Sequence, residues 1–279
     1  MSEVQYNSNE QKINKALYAR SEILTRHTRR KEDDIFFCLP LIADAMGNKA
    51  NEKDRIGWHY LRDMFYKWLA GKANDVPQNN PNPFWVDIDW VLSYEKAEEQ
   101  WNDAIETLIL NENAIKQIKK YLHELGYIAE KRTEFDFINI PFSEWDKHHY
   151  QHISINFYDW NLIVEAFTQF TGLFVAFGSF TFKFLAKGKI EYFENNFSVK
   201  VEQIAGFVHD TFNFESSENP FKDILGYWNC ADKQMNIYEV IDGELMTNGR
   251  FREFREYNKI GNDFTVLSNQ KIIDVFAII

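Results

Sequence analysis

Apolar residues recur at helical spacing through the first half of the chain. They lie three or four positions apart over residues 56–69 and 90–108, and again from about residue 112 to 125. A glycine follows the first and the third of these segments, where helices commonly end. Tryptophans at these spacings are typical of a packed core rather than of a cofactor site. The pattern predicts a mostly helical region over residues 36–145.

After about residue 142 the apolar period changes from 3.6 to two, which indicates strands. A turn at residues 194–196 separates two alternating segments and predicts an antiparallel meander. A helix is expected near residues 159–170, within a β-rich domain over residues 146–279. The expected fold class is α+β, with a mainly antiparallel sheet or open barrel in the C-terminal part. The predicted strands cover residues 152–157, 180–184, 197–201 and 264–267.

The remaining segment, residues 1–35, is polar and basic. Its first 31 residues contain seven Lys or Arg and three Glu, although the whole chain carries a net charge of −11. The segment is interpreted either as a solvated arm or as a recognition segment for a partner. An acidic chain lacks the clustered cations that phosphate backbones require, so no nucleic-acid partner is expected.

Composition and targeting signals further restrict the class of protein. Hydrophobic residues make up 45% and aromatic residues 16% of the chain, enough for a large core. Cys38 and Cys230 are far apart without a CxxC motif, which predicts neither a disulfide framework nor a structural zinc site. The start has no apolar signal region, and the most apolar run (172–185) is too short to span a membrane. We therefore expect a soluble protein made in the cytoplasm.

Three histidines near Asp146 resemble a metal site at first sight. In a helix or a strand, however, the spacing of His148, His149 and His152 spreads their nitrogens over different faces, and no HExxH motif or thiolate accompanies them. A polar connector is favoured over a metal site. The chain also lacks GxxxxGK[ST], GxGxxG and GxSxG motifs, so neither a metal nor another cofactor is expected.

The strongest candidate site lies near the end of the chain, where acidic, basic and aromatic residues follow predicted strands. A carboxylate is able to act as a base and arginines are able to hold a phosphate, which together would suit phosphate-ester chemistry. In the alternative interpretation the aspartates cap turns and the arginines form internal ion pairs. The predicted catalytic residues are Asp210, Asp263, Arg252 and Arg255, and the predicted substrate-binding residues are Asn213, Tyr227, Trp228 and Lys259.

These motifs resemble an uncharacterised proteobacterial family that is classed only as a domain of unknown function. Its members are often encoded beside the VgrG spike and PAAR-tip genes of type VI secretion systems. The resemblance covers roughly residues 40–275 and implies no established activity. It rests on the segments Asp210-Thr211-Phe212-Asn213-Phe214, Leu225-Gly226-Tyr227-Trp228, Phe251-Arg252-Glu253-Phe254-Arg255 and Gly261-Asn262-Asp263-Phe264 with Ser268.

The β-rich half also resembles the catalytic region of colicin M-type bacteriocins, which cleave the polyprenyl-pyrophosphate link of lipid II. Their motif is Asp-x-Tyr-Asp followed closely by His-Arg. Asp210 matches the first acid, but Phe212 replaces the tyrosine, Asn213 replaces the second acid, and no His-Arg follows. Arg252 and Arg255 are the candidates to supply the missing cation.

The resemblances imply a protein of interbacterial competition associated with type VI secretion. One hypothesis is an effector-type domain, delivered to a target cell, that acts on a phosphate-containing precursor of the cell envelope. The other is a non-enzymatic immunity protein or effector-loading adaptor, whose partner would be a cognate toxin or a component of the secretion spike. A ligand-binding protein without a role in secretion is a third interpretation. The residues by themselves do not decide whether the protein is an enzyme.

Overall fold

The computed structural model describes residues 38–72, 82–156, 172–194, 196–215, 224–236 and 244–278. The predicted basic arm over residues 1–35 and the predicted helix near residues 159–170 lie outside them. The chain divides into two compact units. We call Met1–Asn79 with Phe212–Phe264 the disulfide unit, and Asn80–Thr211 with Thr265–Ile279 the sheet unit. The predicted division of the chain near residue 145 remains a prediction.

Helices concentrate in the N-terminal part of the chain, as the apolar spacing predicts. The first predicted helix is confirmed as α2 and the third as α5, whereas the predicted segment 90–108 consists of two helices and a π-helical turn. A helix over the RFREFR segment was not predicted. The helical elements of the described residues are α1 (Cys38–Gly47), α2 (Glu52–Ala70), α3 (Ile88–Leu92), α4 (Glu95–Asp103), the π-helical turn (Ala104–Leu108), α5 (Glu112–Glu124), α6 (Phe142–His148), α7 (Gly172–Phe177) and α8 (Asn248–Asn258).

Strands dominate the C-terminal part, and the predicted α+β class is confirmed. The four predicted strands correspond to β3, β4, β5 and β9, and a further strand, β10, follows the predicted last one. The strands are β1 (Phe84–Val86), β2 (Glu134–Asp136), β3 (Gln151–Asn156), β4 (Ser179–Phe193), β5 (Asn196–Phe212), β6 (Ile224–Asn229), β7 (Gln234–Asn236), β8 (Glu244–Thr247), β9 (Phe264–Ser268) and β10 (Lys271–Ile278).

The sheet unit is built around the long hairpin of β4 and β5. Seven described strands form a sheet in the order β1-β9-β5-β4-β2, in which β3 also pairs with β4 and β10 also pairs with β5. β4 pairs antiparallel with β2, β3 and β5, whereas β1 and β9 run parallel. The sheet is mixed but mostly antiparallel, and it is not closed into a barrel.

In the sheet unit, a buried tryptophan ring packs against a glycine and two phenylalanines. The ring of Trp101 in α4 lies against Phe182 and Phe184 of β4, with centroids 5.1 and 5.4 Å away. The ring also lies over Gly206 of β5, where an added Cβ would lie 2.3 Å from it. Only glycine allows this contact, and the buried aromatic surface contributes a large part of the apolar stabilisation.

The disulfide unit combines α1, α2 and α8 with the small antiparallel sheet β7-β6-β8. Asn51 caps the start of α2 by accepting a hydrogen bond from the backbone N–H of Asp54 (3.1 Å). Gly71 ends the helix, as predicted, and donates its N–H to the carbonyl of Trp68. The buried ring of Phe65 on this helix packs against the rings of Phe214 and Phe251, and the three centroids are 4.2–5.7 Å apart.

A single disulfide joins the two cysteines of this unit, a bridge that their spacing in the sequence did not indicate. Cys38 begins α1, and Cys230 follows β6 in the turn before β7. Their Cα atoms are 5.1 Å apart, within the range that a disulfide requires. The bridge joins positions separated by 192 residues, and this long separation concealed the pairing. No helix among the described residues is both long enough and apolar enough to cross a bilayer.

Candidate functional site

The eight predicted site residues are distributed unequally between the two units. Asp210 lies near the end of β5 in the sheet unit, and the other seven belong to the disulfide unit. That Asp210 shares one cleft with these residues remains a prediction. The two groups are therefore considered separately.

Asp263 has an internal partner for each carboxylate oxygen. Nη1 of Arg255 lies 3.0 Å from Oδ1 and 2.9 Å from Oδ2, and Nε1 of Trp68 donates to Oδ1 at 3.1 Å. The side chains of Asp263 and Arg255 are only 15% and 23% exposed. Through these bonds the side chain of Asp263, in the loop before β9, connects α2 and α8. These contacts agree with the alternative interpretation, in which the arginine forms an internal ion pair.

The other predicted residues of the disulfide unit also make local contacts. Nη1 of Arg252 donates to the carbonyl of Phe214 at 2.7 Å, and Nε1 of the buried Trp228 donates to the carbonyl of Leu225 at 3.1 Å. Lys259 ends α8 in the left-handed conformation (φ 56°) and donates its backbone N–H to the carbonyl of Arg255. Of the predicted set in this unit, Asn213 and Tyr227 are half-buried and Lys259 is exposed.

Asp210 is in a different electrostatic environment. Burial raises the pKa of its carboxyl to about 7, although a backbone hydrogen bond from Thr211 acts in the opposite direction. None of the ion pairs among the described residues includes Asp210. A half-buried carboxyl that is partly protonated near neutral pH is suited to accept or donate a proton. Of the predicted catalytic residues, Asp210 has the environment expected of an acid–base group.

The opposite face of the same strand carries a cluster that sequence reasoning missed. His209 precedes Asp210, and neighbouring strand residues point to opposite faces of a sheet. Nε2 of His209 lies 3.7 Å from Oδ1 of Asp146, which also accepts a hydrogen bond from Lys183. Burial and the charge of Lys183 lower the pKa of His209 to about 4, so its imidazole is neutral at pH 7. His209 lies across from Thr181 on the polar face of β4, but this pairing depends on a β-bulge between Lys187 and Gly188 that shifts the register by one residue. The predicted turn alone would place His209 across from Phe180, so it carried no signal for this cluster.

The three histidines singled out in the sequence do not form a metal site within the described part of the chain. Nδ1 of His148 contacts the carbonyl of Glu144 (2.9 Å), and Nδ1 of His149 contacts that of Asp146 (2.7 Å). Among the described residues, no group of three or more His, Cys, Asp or Glu side chains is arranged to hold a metal ion. Asp146 and His149 belong instead to the cluster around His209.

The fold and these sites describe a two-unit α+β protein with a titratable carboxyl at the end of a long central strand. The model of the family of unknown function DUF6402 matches residues 58–247, and the chain belongs to this family. The matched segment includes Asp210, Asn213, Tyr227 and Trp228 and ends before the two arginines. No curated protein and no solved structure matches the chain.

Proposed function

We propose that this protein takes part in interbacterial competition associated with type VI secretion, as an effector-type protein acting on a phosphate-containing precursor of the cell envelope. The observation that carries the proposal is the state of Asp210. It is half-buried, it has no cation among the ion pairs of the described residues, and its carboxyl pKa is about 7. Such a group is able to take a proton from an attacking water or give one to a leaving oxygen.

The disulfide supports delivery to the envelope of a target cell. Disulfides persist in oxidising compartments such as the bacterial periplasm and are rare in the cytoplasm. A protein made in the cytoplasm of the producing cell would form the Cys38–Cys230 bridge after delivery. The oxidised chain is then the active form in this proposal.

A second candidate function is favoured by the contacts of the arginines. Arg255 is paired with Asp263, and Arg252 donates to a backbone carbonyl. The charge of Arg255 is already compensated by Asp263, and Nη1 of Arg252 is already engaged, so a phosphate would compete with these internal contacts. This favours a non-enzymatic immunity protein or effector-loading adaptor that binds a toxin or a component of the secretion spike.

The two functions differ in the effect of expressing the full chain in a susceptible bacterium. We would express it in the cytoplasm and, with an added export signal, in the periplasm. The effector function predicts killing from the periplasm that Asp210→Asn abolishes and Asp103→Asn leaves unchanged, since Asp103 is an exposed carboxylate of the same unit. Both variants must show native thermal unfolding. Wild-type protein that is harmless in both compartments would overturn the effector proposal, and rescue of cells from a neighbouring toxin would establish the second candidate.

A further inference from the structure

Helix α6 lies on the sheet of its unit, yet none of its side chains is fully buried. Its main apolar contact is the ring of Trp145, whose centroid is 5.0 Å from that of Phe207 in β5. Trp145 also contacts the half-exposed ring of Trp85, 6.1 Å away. Phe142 also contacts Trp85 at 5.5 Å, and the ring of His148 lies 5.4 Å from that of Phe137. Polar contacts add to this partly exposed aromatic interface.

The polar contacts converge on one carboxylate of α6, that of Asp146. Lys183 of β4 donates a hydrogen bond to it, Nε2 of His209 in β5 lies 3.7 Å away, and Nδ1 of His149 lies 4.0 Å away. The ring of His152 in β3 lies 5.8 Å from that of His149. Three basic side chains, from β4, from β5 and from the end of α6, therefore lie within 4.0 Å of one carboxylate, which is itself 58% exposed.

We propose that α6 is an acid-released latch, in which protonation of His209 and His149 frees the helix from the sheet and uncovers Phe207. The latch is closed when Lys183 is the one cation beside Asp146. When His209 or His149 is protonated, its positive charge is repelled by Lys183 and by the other histidine if that is also protonated. The single negative charge of Asp146 does not compensate for two or three positive charges. This inference is independent of the function proposed above.

The direction of the pH effect follows from the docked environment of the histidines. Burial and Lys183 lower the pKa of His209 from 6.5 to about 4, and burial lowers the pKa of His149 despite its hydrogen bond to a backbone carbonyl. A histidine whose pKa is lowered by docking opposes docking as the pH falls from about 6.5 towards 4. Asp146 does not reverse this effect above pH 4. Burial would raise its pKa, but Lys183 outweighs burial and keeps the carboxyl ionised.

The other charged groups near α6 do not take part in the latch. Glu144 pairs with Lys147 on the helix itself, and His148 contacts the backbone carbonyl of Glu144. Asp210 follows His209 in the strand and points to the opposite face of the sheet. The release therefore depends on His209 and His149, with His152 as the nearest further titratable group.

Amide hydrogen exchange of residues 142–149 in the full chain, corrected for intrinsic rates, measures the opening of α6 at pH 7.5 and pH 5. A pKa of 4 when docked and 6.5 when released predicts about 30-fold more opening at pH 5 from His209 alone. His209→Gln should reduce this rise to a few-fold, and the double variant with His149→Gln should remove it. His148→Gln is the control for a histidine of α6 outside the cluster. Because its ring packs 5.4 Å from that of Phe137, the substitution should raise opening at both pH values and keep the full rise between them.

Thermal unfolding at pH 7.5 and exchange of β4 amides show that each variant is folded before the comparison is made. The latch is supported if the acid-dependent rise is confined to α6 and lost with His209. Equal opening at pH 7.5 and pH 5 in the wild type would overturn it. So would a full rise that persists in the His209→Gln and His149→Gln double variant.

Discussion

Two partly buried aspartates, one in each unit, have different electrostatic environments. Asp263 receives hydrogen bonds from Arg255 and Trp68, so its charge is neutralised inside the disulfide unit. Asp210 has no such cation among the ion pairs of the described residues, and its pKa rises to about 7. Sequence alone presents the two as equal members of one site. The structure indicates that a paired carboxylate stabilises the fold, whereas an unpaired one is available for proton transfer.

The apolar cores of the two units do not differ in this way. Each places a tryptophan ring where only a glycine fits. An added Cβ would lie 2.3 Å from the ring of Trp68 at Gly261, and 2.3 Å from that of Trp101 at Gly206. Gly261 also has a φ of 101°, which side-chain-bearing residues rarely adopt. The contrast between the units therefore lies in their polar groups, and changes at those groups test it best.

The largest effect on stability is expected from removing the disulfide, since both cysteines lie in the disulfide unit. Replacing both Cys38 and Cys230 by Ser should lower the free energy of unfolding by about 4 kcal/mol, because the bridge restricts a long loop in the unfolded chain. Urea unfolding with and without a reductant measures this loss. Reductant should destabilise the wild type to the level of the double variant and leave the variant unchanged. Equal stability of oxidised and reduced wild type would contradict the prediction.

Removing the charge of Asp263 should have the next largest effect. Asp263→Asn leaves the guanidinium of Arg255 partly buried without its counterion, while the amide oxygen still accepts from Trp68. We expect a loss of about 3 kcal/mol in the free energy of unfolding. Chemical denaturation at pH 7.5 measures it. A loss below 1 kcal/mol would mean that the pair does not stabilise the unit and would return Asp263 to the candidate catalytic residues.

Much of the fold is predictable from the sequence because each element has a regular period. The spacing of apolar residues predicts α2 and α5, and the alternation around residues 194–196 predicts the hairpin of β4 and β5. Helix α8 escapes this reasoning because basic and acidic residues separate its few buried positions, Phe251 and Phe254. The disulfide escapes it because pairing across 192 residues depends on tertiary structure.

The candidate site is predictable only in part, and for a related reason. The polarity of a residue indicates that it needs a partner, but only tertiary contacts decide whether the partner is inside the chain. Arg252 and Arg255 look free in the sequence, yet both bond to atoms of the disulfide unit. Lys183 looks like a polar-face residue of a strand, yet it holds Asp146 of α6. Charge and spacing alone do not separate these cases.

A smaller effect, opposite in sign to that of Asp263→Asn, is expected at Asp210. Its pKa is raised from 3.8 to about 7 in the folded chain, so the folded state binds more protons than the unfolded state between these values. The stabilisation by the protonated form is therefore complete below pH 4 and is lost as the pH rises through 7. The stability of Asp210→Asn relative to the wild type should therefore rise by about 2.5 kcal/mol between pH 5 and pH 8, and the variant should be the more stable protein at pH 8. Unfolding of both proteins at the two pH values checks this, and a variant less stable than wild type at pH 8 would show that the carboxylate has a stabilising partner.

The smallest effect on stability is expected at an exposed ion pair whose arginine lies in α8, the helix that also contains Arg255. Nη1 of Arg250 lies 2.6 Å from the carboxylate of Glu244, but the two side chains are 42% and 51% exposed. Water screens such a pair, so Arg250→Met should cost at most about 1 kcal/mol, and 0.5 M NaCl should remove most of that difference. Denaturation at low and high salt, beside Arg255→Met, compares the two pairs directly. If Arg250→Met cost as much as Arg255→Met, burial would not be the property that separates the stabilising pair from the exposed one.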